Sequence, residues 1–170
     1  MSTFLVSASA GTLRIGEREV RCAIGRSGAT ALALKREGDG CTPFGSFHIR
    51  RVFYRADRLP CAPRTSVPVQ PLQRTDGWCD DVGDAGHYNR WVPLPHASSH
   101  EELWRTDEVY DIICTLSHNE DCVPGLGSAI FLHCASADYA PTAGCVAVSR
   151  ENLLLLLELA TPDACLDIRE

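Results

Sequence analysis

Alternation of apolar and polar positions marks the first third of the chain as β structure. Thr3 to Ala8 is apolar and β-prone, Ala10-Gly11 turns the chain, and Gly16-Glu17 is a Gly-X pair suited to a type II′ hairpin. From Glu19 to Ile24, Val20, Cys22 and Ile24 share one face and Glu19 and Arg21 the other, the pattern of a half-buried strand. Gly38, Gly40, Pro43 and Gly45 punctuate a loop before another strand, Ser46 to Tyr54. Residues 59–94 are rich in proline, hold Trp78 and Trp91, and include DGWCDDVGDAGHYNR, which predicts a long ordered loop. His100 to Trp104 reads as a short helix, and Val109 to Leu116 and Ser128 to His133 as strands. Ser149 is an N-cap candidate for a helix over Asn152 to Ala160, with Glu151 favouring its positive end and Pro162 closing it. The leucines from 153 to 157 cover more than one face and predict deep burial of that helix, and Cys165 to Arg169 reads as a last strand. The sum is a mostly β fold, an antiparallel sandwich or half-open barrel with a few short helices.

At 170 residues, 45% hydrophobic and 22% charged, the chain fits one globular domain over residues 1–170 and excludes a disordered or collagen-like polymer. Leu153 to Leu157, the longest strongly apolar stretch, is far short of the ~20 residues of a transmembrane helix, so no membrane span is expected. Charge is divided unevenly. Residues 1–74 carry 12 basic and 5 acidic groups (+7), residues 75–170 carry 4 and 17 (−13), and together they give −6. The densest basic run is Arg50, Arg51, Arg55, Arg58 and Arg64, which reads as a charged strand edge or a patch for an acidic partner. Nucleic acid is not expected, because no zinc-finger, KH or RNP pattern accompanies the run.

The nine cysteines include no C-x-x-C pair, which argues against a zinc knuckle or a thioredoxin-type redox site. Cys22, Cys41, Cys61, Cys79, Cys114, Cys122 and Cys165 lie among apolar or turn residues and read mostly as buried small side chains. Asp80, Asp81 and Asp84 miss the spacing of an EF-hand loop, and no metal is expected. The N-terminus MSTFLVSASAGTLR lacks the basic start and apolar core of a secretory signal.

Candidate chemistry centres on His133, at the end of the apolar run FLH, and Cys145, twelve residues later in TAGCVAVS. A strand-borne imidazole and a Gly-Cys at the start of another strand can meet. A thiol with pKa ~8.5 is only a few per cent thiolate at neutrality, and an adjacent imidazole activates it and later protonates a leaving amine. On these residues, Cys145 is expected to be substantially thiolate near neutral pH. Gly144 is expected to leave room for an incoming carbonyl, and backbone N–H groups at Gly144 and Cys145 to cradle an oxyanion. By spacing alone, a buried core cysteine and a satisfied histidine fit equally.

The segment HCASADYAPTAGCVAVSRENL resembles the active-site signature of the YkuD-type L,D-transpeptidases, a His, a loop, then Ser/Thr-x-Gly-Cys. TPFGSFHI, Thr42 to Ile49, is similar to the Thr-Pro-x-Gly-x-Phe element of the same family, and both occur in the expected order over roughly residues 4–168. The resemblance implies that Cys145 is the acyl-accepting nucleophile, His133 the general base, Gly144 the glycine beside the oxyanion hole, and Cys134 the position whose backbone carbonyl orients the imidazole. It also implies substrate contacts from Arg150, Thr142 and Tyr139. Three departures bear on those contacts: Ala143 stands for the usual His, Ala147 for the usual Arg or polar residue, and the His-to-Cys loop is short. The implied reaction cleaves the L-to-D bond of a peptidoglycan tetrapeptide stem, releases D-Ala, and passes the acyl group to an amine of a second stem or to water. The implied partners are stem peptides and carbapenem β-lactams, with no cofactor, and the implied location is the periplasm or cell envelope. Two other readings are another cysteine hydrolase or amidase, and a non-catalytic cell-wall-binding β-domain using Trp78, Tyr88, Trp91 and Trp104.

Overall fold

A computed structural model describes residues 1–170. Strands β1 (Thr3–Ser7), β2 (Thr12–Ile15) and β3 (Arg18–Arg21) form an antiparallel meander. The β2–β3 turn is Gly16-Glu17 with Gly16 at φ 60° and Glu17 at negative φ, which fits the type II′ expectation. A parallel pair follows, β4 (Ala29–Thr30) with β5 (Thr42–Pro43), and then the ten-residue β6 (Gly45–Tyr54). Next come β7 (Val69–Pro71), β8 (Asp76–Cys79), β9 (Trp91–Pro93), β10 (His100–Glu102), β11 (Ile112–Leu116), β12 (Phe131–Cys134) and β13 (Val146–Val148). Helix α1 (Arg150–Leu159) and β14 (Cys165–Arg169) complete the chain.

The main sheet runs β13-β12-β11-β6-β14-β1-β2-β3, with β7 added alongside β6. It nearly closes on itself. Just past β3, the Ala23 N–H donates to the Ala147 carbonyl (2.8 Å) and the Ala147 N–H returns a bond to the Ala23 carbonyl (2.9 Å), joining the two ends of the sheet. Closure hides the edges that an open sheet of this size would expose. Most pairings are antiparallel, as expected, but β1–β14, β12–β13 and β6–β7 are parallel. The second of these positions the site.

The barrel interior is filled by residues that alternate along the strands, among them Val6, Leu13, Ile49, Val52, Ile112, Leu132, Val146 and Leu166. Helix α1 contributes Leu153, Leu156 and Leu157, all fully buried, and the Ser149 hydroxyl accepts the Asn152 N–H (3.2 Å) at its N-terminus. A smaller apolar cluster lies on the outer face of β11 and β12: Phe53, Leu72, Leu103, Tyr110, Ile113, Ala129, Phe131 and Cys145.

Two sequence expectations change. The proline-rich stretch is not a bare loop, since it carries β7, β8 and β9. His100 to Trp104 is not helical, because His100, Glu101 and Glu102 pair antiparallel with Cys79, Trp78 and Gly77. Ladder bonds to β8 decide the conformation of a segment too short to hold itself as a helix. Strands β10-β8-β9 form a small separate sheet. Its Trp78 meets Phe131 edge-on at 5.1 Å between ring centroids, which lays that sheet over the smaller cluster.

Candidate active site

Strand periodicity brings His133 and Cys145 to one side of the sheet. In β12, Leu132 and Cys134 face the barrel interior while Phe131 and His133 face outward; in the parallel neighbour, Val146 and Val148 face inward while Cys145 and Ala147 face outward. His133 is in register with Ala147, so Cys145 lies diagonally one same-face step away, a relation that an imidazole can bridge. Both residues line one cavity of about 410 Å³.

The imidazole is held from behind. His133 Nδ1 lies 2.8 Å from the Cys134 carbonyl oxygen. A carbonyl can only accept, so Nδ1 carries the hydrogen and Nε2 is left with its lone pair. The Tyr110 ring meets the imidazole edge-on at 5.2 Å. Cys134 therefore supplies its backbone to the site, while its thiol points into the barrel interior.

The thiol is not held as a thiolate. Cys145 Sγ donates to the Ala129 carbonyl (3.1 Å) and accepts the Phe131 N–H (3.3 Å). Burial pushes the Cys145 thiol up to about 12, and the Glu101 carboxylate adds to the rise. Burial also pulls His133 down to about 4. The resting pair is thus a neutral thiol beside a neutral imidazole, which corrects the expectation of a Cys145 thiolate near neutrality. Ala129, whose carbonyl accepts the thiol hydrogen bond, sits at φ 51°, a strained value for a residue other than glycine.

The loop before Cys145 is braced from a distance. Thr42 is fully buried; its hydroxyl donates to the Gly144 carbonyl (2.9 Å) and accepts the Gly25 N–H (2.8 Å). This gives the Thr-Pro-x-Gly-x-Phe element its place in the site. Gly144 adopts φ 145°, and a Cβ there would come within 2.9 Å of the Cys41 carbonyl oxygen and of Ile130 Cδ1. Its lack of a side chain is therefore required by packing beneath the loop, which corrects the expectation that it clears room for substrate. The Gly144 N–H donates to Thr142 Oγ1 (3.1 Å), whereas the Cys145 N–H has no partner in the protein. Of the two expected oxyanion donors, only Cys145 is free.

The remaining sequence candidates divide. Thr142 lines the cavity, but its hydroxyl is committed to the Cys145 carbonyl (2.7 Å) and the Gly144 N–H, so it shapes the loop. Arg150 lies outside the cavity, 2.8 Å from Asp111 Oδ2 in an ion pair not aligned as a hydrogen bond and 3.3 Å from Glu108. Its position in the first turn of α1 aims it at the acidic residues beside β11. Tyr139 is also outside, with Arg21 over its ring at 4.5 Å. The arginine run is likewise absent from the cavity: Arg50 pairs with Glu120, Arg55 with Asp57, Arg58 with Asp111 and Arg64 with Glu158.

The charged groups that do line the cavity come from segments far apart in sequence: Arg26, Lys35 and Arg105 against Glu37, Asp80 and Glu101. Lys35 is paired with Asp39 and Arg105 with Asp107, whereas the Arg26 guanidinium makes no ion pair. Glu101 accepts from the Tyr110 hydroxyl (2.8 Å), and burial raises its carboxyl above the usual range. Asp80 Oδ1 is buried without a hydrogen-bond partner. None of these residues belongs to a local motif. Glu101 was further concealed by lying in the segment whose pattern reads as helix.

The nearly closed sheet thus brings His133, on β12, and Cys145, at the entry to the parallel β13, to one cavity. The chain belongs to the YkuD family, L,D-transpeptidase catalytic domain, whose family model matches residues 3–168. A crystal structure of Mycobacterium tuberculosis L,D-transpeptidase 1 is similar, with 16% sequence identity and a TM-score of 0.42, over 98% of this chain and 60% of that one. The chain thus spans about three-fifths of that relative's length. No curated protein matches the chain significantly.

Proposed function

We propose that this chain is a cysteine acyltransferase acting on peptidoglycan stem peptides, with Cys145 as nucleophile and His133 as base. The observation carrying the reading is that His133 and Cys145 open into one cavity while the Cys134 carbonyl fixes the imidazole with Nε2 unprotonated. Sγ turns from the Ala129 carbonyl toward the cavity, His133 Nε2 takes its proton as sulfur attacks the L-to-D amide, and the carbonyl oxygen collects charge beside the free Cys145 N–H. The imidazolium then protonates the departing amine of D-Ala. In the second half, His133 takes a proton from an amine of another stem or from water, and that nucleophile releases the thioester.

Arg26, a cation without a counter-ion at the cavity wall, suits the carboxylate end of a stem. Asp80 and Glu101 suit the ammonium of the acceptor. No helix of the chain is long and apolar enough to cross a membrane. The substrate class assigns the work to the cell envelope.

The test is acylation by a carbapenem, whose strained amide imitates the scissile bond. One adduct per chain is expected on Cys145 by peptide mass spectrometry, absent in Cys145→Ala, and formed ~10²–10⁴-fold more slowly in folded His133→Ala. An adduct on Cys134 would exchange the roles of the two thiols. No adduct on any cysteine would favour a non-catalytic cell-wall-binding domain.

A further inference from the structure

The small sheet over the cavity carries a second cluster of reactive side chains, unrelated to acyl transfer. Cys79 closes β8, Asp84 sits in the turn after it, and His96 lies on the approach to β10. One donor atom from each falls within 4.8 Å of the other two. His96 Nε2 is 3.2 Å from Asp84 Oδ2, and Cys79 is wholly buried. Donors around a tetrahedral zinc ion, with bonds of about 2.0–2.3 Å, stand ~3.3–3.8 Å apart, so closure needs movements of about 1 Å or less. The set is a thiol, an imidazole and a carboxylate, the combination that suits zinc-like ions rather than calcium or magnesium.

The surroundings match those of metal ligands. Asp84 accepts from the Ser98 hydroxyl (2.8 Å) and from His87 Nδ1 (2.9 Å), so its carboxylate is oriented by two outer partners. Asp81 is not part of the cluster, since its carboxylate is used by the Gly83 and Ser99 N–H groups. Residues 80–99 link three short strands with little apolar packing of their own beyond Tyr88 and Val92, so a cross-link there has structural work to do.

We propose that Cys79, Asp84 and His96 bind one zinc-class divalent ion, with water in the fourth position, fastening β8 to the segment that leads into β10. Cys79 Sγ–H gives its proton to water as the S–metal bond forms. The His96 Nε2 hydrogen moves to Nδ1, freeing the Nε2 lone pair, so one proton is released per metal. The same clip sets the β8–β10 pairing from which Asp80 and Glu101 reach the catalytic cavity.

The test is titration of the purified, metal-stripped chain with Co²⁺ and Zn²⁺, and it does not depend on acylation. Expected are one tight site per chain, a thiolate-to-cobalt charge-transfer band bleached by zinc, and one proton released per metal in calorimetry across buffers. Cys79→Ser should abolish the band, and His96→Gln, at a partly exposed position, should weaken binding by more than the ~10–100-fold typical of losing an outer partner. Absence of the band in the folded wild-type chain, or an undiminished band in folded Cys79→Ser, would overturn the proposal. If Cys79→Ser does not fold, unchanged affinity in His96→Gln overturns it equally.

Discussion

The resting protonation state of Cys145 has a direct chemical readout. With the thiol pushed to about 12, its thiolate fraction at pH 7 is ~10⁻⁵, against a few per cent for an ordinary cysteine of pKa ~8.5. Ionisation alone should slow iodoacetamide at Cys145 by about 10³-fold relative to a free thiol. The rate should climb tenfold per pH unit from 7 to 10 without levelling. Cys61, the exposed cysteine, is the internal reference and should be modified first. The assay is timed alkylation across pH, with quenching and peptide mapping. Acylation by a carbapenem should behave differently, because His133, pulled down to about 4, is already neutral at pH 6 and takes the proton during attack. Its rate should rise through about pH 4 and stay level from 6 to 9. An alkylation profile that levels off with a midpoint at or below 7 would mean a preformed thiolate–imidazolium pair and would refute this account of the site.

Further outcomes follow from other parts of the site. Thr42→Val keeps the shape but leaves the buried Gly25 N–H and Gly144 carbonyl unpaired; at about 1–3 kcal/mol per group the loss is roughly 2–6 kcal/mol. At ~2–4 °C per kcal/mol for a chain of this length a melting shift of ~4–24 °C should follow, and one below about 2 °C would deny Thr42 its bracing role. His133 and His118 are both lowered to about 4 by burial, so between pH 6.5 and 4 the unfolded chain binds protons that the folded chain excludes. Stability should therefore fall with pH through that window, at ~2 kcal/mol per unit near pH 5; urea midpoints that do not change there would contradict it. Arg26→Ala should raise KM for a tetrapeptide stem with kcat little changed, whereas Arg150→Ala should lower stability by about 1 kcal/mol and leave turnover intact. The reverse pattern would return Arg150 to the site.

Much of the barrel is legible in the chain because its signals are local. The Gly16-Glu17 hairpin, the Val20/Cys22 alternation, the Ser149 cap and the fully buried leucines of α1 each depend on residues close in sequence, where backbone sterics and side-chain period act. The segment from 59 to 104 is less legible because its structure is set by partners elsewhere. Strands of three or four residues, such as β8 to β10, carry too little periodicity to announce themselves, and their conformation comes from the ladder that they form together.

The same division runs through the site. His133, Cys134, Gly144 and Cys145 stand in one short motif, and their alternation on β12 and β13 follows from it. What the motif conceals is the environment, and environment decides protonation. A Cys twelve residues from a His suggests an ion pair, yet the thiol's hydrogen goes to the Ala129 carbonyl. That carbonyl is in place because Ala129 is held at φ 51° with its N–H on the Asn89 side chain, 3.1 Å away and forty residues distant in sequence. Long-range contacts of this kind also bring Arg26, Asp80 and Glu101 to the cavity wall, while Arg150, next to the motif in sequence, is drawn off by Asp111. Sequence proximity therefore identifies the groups proposed to react, but the charges that would select a substrate are chosen by the closure of the barrel.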